Sequence, residues 1–183
     1  MMSNKEKYSG STSESVTQEV VEIAKVAMVQ EWDCEAQERQ KKGRRSKGTL
    51  MDIPSERSMY MPVKEKDGPT LKHLFVRIVQ TARFKKIKIS RMTVTLFYKD
   101  PDTGEMERVV DADVVSPPPH NGEKTESWPH YHFGQTRTRF SKEDAEALGN
   151  NPNRQLSFFL EKANMELDKP IDLNVDPKDF RLE

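Results

Sequence analysis

From the amino end, the first regular pattern begins at Val16, where Val16, Val20, Ile23, Ala24, Ala27 and Met28 recur at three- and four-residue steps. This spacing places apolar side chains on one face of a helix, and Ser15 with Gln18 fits a capping box at its start. An N-terminal helix over 16–42 is therefore predicted, with Cys34 as a small residue on it. Residues 1–15 are rich in Ser, Lys and Glu and too poor in apolar groups to offset the entropy of ordering, so a mobile N-terminal tail is expected there. The pattern breaks around Gly43, and 43–69 reads as a loop or linker.

A second periodic stretch holds Leu71, Leu74, Phe75, Ile78, Val79 and Ala82. Its spacing favours a helix, although Phe75 to Val79 also suits a strand. Ile87, Ile89, Val94, Leu96 and Tyr98 then alternate, with a change of phase near Arg91 of the kind a bulge produces. Asp100-Pro101-Asp102-Thr103-Gly104 is a turn, because Pro presets one dihedral and Gly permits a positive one. Residues 106–115 return as the second arm of a hairpin, and His130 to Phe140 reads as a third strand. Ser141 with Asp144 signals the start of a short helix that Gly149 ends. Leu156, Phe159, Leu160, Ala163 and Leu167 predict a last helix before a C-terminal tail over 170–183 marked by Pro170 and Pro177. The expected fold class is α+β: a domain over 70–169 with an antiparallel sheet of three or more strands and helices packed on one face.

Composition narrows this picture. A chain of 183 residues has room for one core, but 34% hydrophobic against 33% charged residues implies that part of it does not pack. Thirty Lys and Arg balance thirty Asp and Glu, so no global field draws the chain to nucleic acid or an anionic membrane. Any such binding must be local. Lys41, Lys42, Arg44, Arg45 and Lys47 form one basic run, a candidate nucleic-acid-binding arm; Arg83, Lys85, Lys86, Lys88 and Arg91 form another. Solvated surface charge is the alternative reading of both. The lone cysteine, Cys34, forbids an internal disulfide and fits a reducing, cytoplasmic setting. No apolar run approaches the ~18 residues of a membrane span.

Candidate chemistry concentrates between Ser116 and Gly134. Three of the four histidines, His120, His130 and His132, fall there, among Pro117-Pro118-Pro119 and Trp128. Strand alternation puts Asp111 and Asp113 on one face of the 106–115 strand, and His130 and His132 opposite Tyr131 and Phe133 on the next. If the two strands pair over one core, the two Asp and the two His share a face. Such a cluster admits two chemistries. His130, His132, Asp111 and Asp113, with His120, would give a mixed N/O set for a divalent metal. Without a metal, His130 and His132 would act as base and acid, with His120 as a further catalytic candidate, while Arg137 or Arg139 holds a phosphate and stabilises developing charge. RNA suits the second scheme, because its 2′-hydroxyl supplies the nucleophile. Two further readings stand beside these. The histidines are ordinary edge-strand residues facing solvent, or the Pro/His/Trp loop is a docking surface of a non-catalytic adaptor that pairs with another protein or with itself.

Pro118-Pro119-His120, Glu123 and Trp128-Pro129-His130-Tyr131-His132, following a strand with Asp111 and Asp113, resemble the signature of the small TumE-like toxins of prokaryotic toxin–antitoxin loci. The resemblance covers about 87–139. It implies a toxin-like domain, nucleic acid as target and an antitoxin as protein partner.

Overall fold

In the computed structural model, residues 8–36, 55–83, 88–115, 130–149 and 151–174 are described. The dominant feature is a run of long neighbouring strands, β4 (Ser55–Glu65), β5 (Thr70–Arg83), β6 (Lys88–Lys99) and β7 (Met106–Val115), each antiparallel to the next. Two short strands, β8 (His130–Phe133) and β9 (Thr136–Arg139), extend β7 as an antiparallel hairpin. On the far side β4 receives β2 (Lys25–Ala27) and, further along the same strand, β3 (Asp33–Ala36). Two pairings are parallel: β10 (Met165–Leu167) with β2, and β1 (Tyr8–Ser11) with the start of β7. The sheet is therefore mixed and not purely antiparallel, and it curls into a half-barrel. Three helices accompany it among the described residues: α1 (Glu14–Glu22), α2 (Lys142–Gly149) and α3 (Pro152–Lys162). They are not gathered cleanly on one face of the sheet as expected.

The inner face explains why these segments are strands. Met59, Met61 and Val63 of β4, Leu74, Val76 and Ile78 of β5, and Met92, Val94 and Leu96 of β6 alternate inward and are almost fully buried. With Val20 of α1 and with Leu156 and Phe159 of α3 they form one cluster. This overturns the helix over the second periodic stretch. Phe75 and Val79, which completed the helical spacing, lie on the opposite face from Val76 and Ile78, and pairing with both β4 and β6 decides for strand. Propensity within a segment yields to such tertiary pairing.

The N-terminal third differs most from expectation. Residues 8–15 do not begin a tail: Tyr8–Ser11 pairs with β7, and Ser13, not Ser15, caps α1 by accepting from Val16 N. The helix stops at Glu22, where Ile23 is already extended. Lys25, buried, donates from Nζ to the carbonyls of Val20 (2.7 Å) and Ile23 (2.6 Å), so the helix end is satisfied by a side chain. Burial lowers this amine to about 8. Cys34 sits on a strand, paired with Arg57, and is exposed. Within 43–69, residues 55–65 are the fully paired strand β4.

At the other end, Phe133 and Thr136 close a tight β8–β9 turn, so the single strand expected over His130 to Phe140 is a hairpin. Ser141 accepts from Asp144 N (3.1 Å), as its spacing implied. The last helix ends at Lys162, and Met165–Leu167 is a strand. Leu173, in the expected C-terminal tail, is fully buried, and Gln80 Nε2 donates to its carbonyl (3.1 Å). Among the described residues no helix is long and apolar enough to cross a membrane.

Candidate active site

The outer face of the sheet carries the polar alternates of the same strands. Because successive residues point to opposite faces, the registers line up outward-facing side chains in rows. One row runs Tyr60, Arg77, Thr95, Asp111, His132 and Arg137 across β4 to β9; the next runs Ser58, Val79, Thr93, Asp113, His130 and Arg139. The juxtaposition expected from alternation is present: Asp111 faces His132 and Asp113 faces His130. Tyr131 points the other way and joins Phe140 and Phe158 in a three-ring contact with centroids 5.2 to 5.3 Å apart. That contact ties β8 to α3 from behind and fixes which face the histidines occupy.

The Asp111–His132 rung is the most organised part of this face. Asp111 Oδ1 accepts from both His132 Nδ1 (2.8 Å) and the His132 backbone N (3.1 Å), and Oδ2 lies 3.3 Å from the Arg108 guanidinium. A carboxylate only accepts, so Nδ1 carries the ring proton and Nε2 presents its lone pair. Burial holds His132 below the usual imidazole range. The hydrogen bond and charge of Asp111 oppose that shift, while Arg108 and His130 add to it. The ring is consequently neutral at pH 7, in the tautomer of a general base. The His130 ring meets it edge-on at 4.8 Å.

Arg108 reaches this rung through a backbone irregularity. Leu96 pairs with Val110 but Phe97 pairs with Arg108, so Val109 is an extra residue in β7. Val109 and Val110 both turn into the core, and the phase change brings Arg108 to the face of Asp111. Ser11 of β1 accepts from the same guanidinium (2.8 Å), which gives the N-terminal strand a role in the site. A corresponding bulge at Ser90, between residues paired with Thr81 and Ala82, is the phase change expected near Arg91. Arg91 is joined to Asp113 by two contacts, and that hydrogen bond raises the guanidinium above its ordinary value.

The hairpin bearing the histidines is held by Gly134. Its φ is +57°, its N donates to Val109 O (2.7 Å), and a Cβ there would lie 2.5 Å from Thr17 Oγ1 of α1. Arg137 and Arg139, both exposed, stand on β9 directly opposite His132 and His130.

His130, His132, Arg137, Arg139, Asp111 and Asp113 are thus brought together on one face. Among the described residues no group of three or more His, Cys, Asp or Glu side chains could hold a metal ion. The two carboxylates are engaged by Arg108, His132 and Arg91 instead. His120 and the basic run Lys41, Lys42, Arg44, Arg45 and Lys47 lie outside the described residues. Arg108 was not legible as a site residue, since strand alternation without the bulge assigns it to the core face. Comparison with known proteins returns no matching family model, curated protein or solved structure.

Proposed function

We propose that this chain cleaves RNA by acid–base catalysis at the His130/His132 face, acting as the toxin-like member of a pair with a neutralising protein partner. The observation that carries the catalytic reading is the Asp111–His132 hydrogen bond, which sets a neutral imidazole with Nε2 available as a base. His132 takes the proton of a ribose 2′-hydroxyl, and O2′ attacks the adjacent phosphorus. The P–O5′ bond breaks as His130 protonates the leaving oxygen, giving a 2′,3′-cyclic phosphate and a 5′-hydroxyl end. Arg137 and Arg139, opposite the two histidines, hold the phosphoryl oxygens as negative charge develops. Asp111 touches no substrate; it positions His132. The toxin setting rests on the resemblance of the Pro118-Pro119-His120 and Pro129-His130-Tyr131-His132 elements.

The test is cleavage of a labelled single-stranded RNA with identification of the ends. His132→Ala should lower the rate by about 10²- to 10⁴-fold with the far-ultraviolet spectrum unchanged. A 2′-deoxy substitution at the scissile nucleotide should abolish cleavage. Unchanged cleavage in the His130→Ala/His132→Ala double variant overturns the catalytic reading, and greatest sensitivity at Trp128 or Tyr131 favours a docking surface instead.

A further inference from the structure

The same outer face holds an open hollow of about 310 Å³ over β4, β5 and β6, bordered by Glu56, Arg77, Thr81, Arg91, Thr93 and Phe97. Its volume is at the lower end of the range for small-molecule sites. Its lining joins the Arg77 guanidinium, the Arg91 guanidinium that Asp113 already holds, the Glu56 carboxylate, threonine hydroxyls and the edge of a buried Phe97. Beside the lining, paired with Arg77 across β4 and β5, Tyr60 is 43% exposed, the one large hydrophobic side chain so exposed among the described residues. The Arg77 guanidinium carbon lies 5.3 Å from the Tyr60 ring centroid, and Phe75 stacks on Phe97 at 5.2 Å.

The Arg77 guanidinium beside the exposed Tyr60 ring favours a ligand that is both flat and anionic. Aromatic faces stack nucleobases whatever their sequence, and Arg serves phosphate and ring face alike. The hollow is also continuous with the candidate active site, because Arg77, Thr95, Asp111 and His132 are successive members of one row. Three strand spacings separate Arg77 from His132, about 14 Å. A single nucleotide at His132 does not span that distance; only a longer strand does.

We infer that the hollow at Arg77, with Tyr60 beside it, is a remote subsite for single-stranded RNA, receiving a phosphate and a base at least one nucleotide away from the linkage presented to His132. The inference rests on the RNA-cleavage reading above. It requires that an oligonucleotide be preferred over a dinucleoside monophosphate, and that the preference reside in residues far from the histidines. A duplex, with its bases stacked away, does not offer the splayed base that this face would accept.

Two measurements separate this subsite from the chemistry. The first is binding of a labelled single-stranded oligoribonucleotide to His132→Ala by fluorescence anisotropy, with and without Tyr60→Ala or Arg77→Ala. Each added substitution should weaken binding about tenfold, the loss of one stacked base, and Tyr60→Phe should restore it. The second is kcat/KM on the otherwise wild-type protein: Tyr60→Ala should raise KM for the oligonucleotide about tenfold and leave the dinucleoside monophosphate unaffected. If cleavage occurs but neither substitution alters affinity or length preference, the subsite is overturned and the cleavage reading stands. If nothing is cleaved yet the oligonucleotide binds and Tyr60→Ala weakens it, the subsite stands and the catalytic reading falls. A wild-type protein that neither binds nor cleaves the oligonucleotide overturns both.

Discussion

Two adjacent rungs of the β7–β8 ladder carry the same residue types and differ in the arginine that each carboxylate engages. Asp111 faces His132 and Asp113 faces His130, and the two carboxylates are similarly withdrawn, 8% and 13% exposed, but the Arg108 beside Asp111 is 30% exposed and the Arg91 beside Asp113 is 56% exposed. Sequence spacing makes the rungs equivalent; the cation beside each does not. Asp111 Oδ1 accepts from His132 while Oδ2 faces the partly buried Arg108, so this carboxylate orients an imidazole. Asp113 gives both oxygens to an Arg91 that sits largely in solvent, a pair that contributes little. The Asp111 rung is the one on which the proposed acid–base reading rests.

The contrast can be broken most sharply at Asp111. Asp111→Asn keeps an acceptor for His132 but removes the charge that Arg108 faces. Cleavage should fall by about 10²-fold, and unfolding in denaturant should show a loss of about 1–3 kcal/mol. Gly134→Ala acts on both rungs, because it forces a side chain into a left-handed conformation against Thr17. It should cost about 2 kcal/mol, measured the same way. Asp113→Asn is the counterpart to Asp111→Asn and should cost under about 1 kcal/mol, diminishing further in high salt. Equal losses from the two Asn variants would erase the distinction between the rungs.

The smallest effect is a displacement on the pH axis. Burial lowers the His132 pKa, so the unfolded chain binds this proton more readily than the folded one. The stability linked to the group is complete above the ordinary imidazole value and is lost as pH falls through the lowered one. The acid limb of the cleavage profile should lie below that ordinary value. Asp111 opposes the shift, so Asp111→Asn should move the limb to still lower pH. Rate profiles of the two proteins check the direction, and an alkaline displacement would contradict it.

Legibility followed the range of the interactions. The facing of Asp111 and Asp113 with His130 and His132 was readable because alternation is a local property of extended backbone, requiring only that two short strands share a core. Strand β5 was not, since Phe75 and Val79 lie on the polar face and blur the alternation into a helical pattern. Strand β4 carries Pro62, which advertises a loop, yet the strand continues across a register shift between Pro62 and Lys64. The N-terminal periodicity overruns the helix because β2 is defined by β4 and β10, partners distant in sequence.

By itself, the sequence determined the periodicities, the turn at Asp100–Gly104, the cap at Ser141 and the clustering of histidine chemistry beside an Asp pair. Each depends on residues within a few positions of one another. Tertiary structure alone decided that 70–83 is a strand, that Val109 bulges to deliver Arg108, and that Asp111 meets a partly buried arginine while Asp113 meets an exposed one. These outcomes follow from strand pairing and solvent exclusion, which join residues far apart in the chain and change the energy of a charge without changing the residue that bears it.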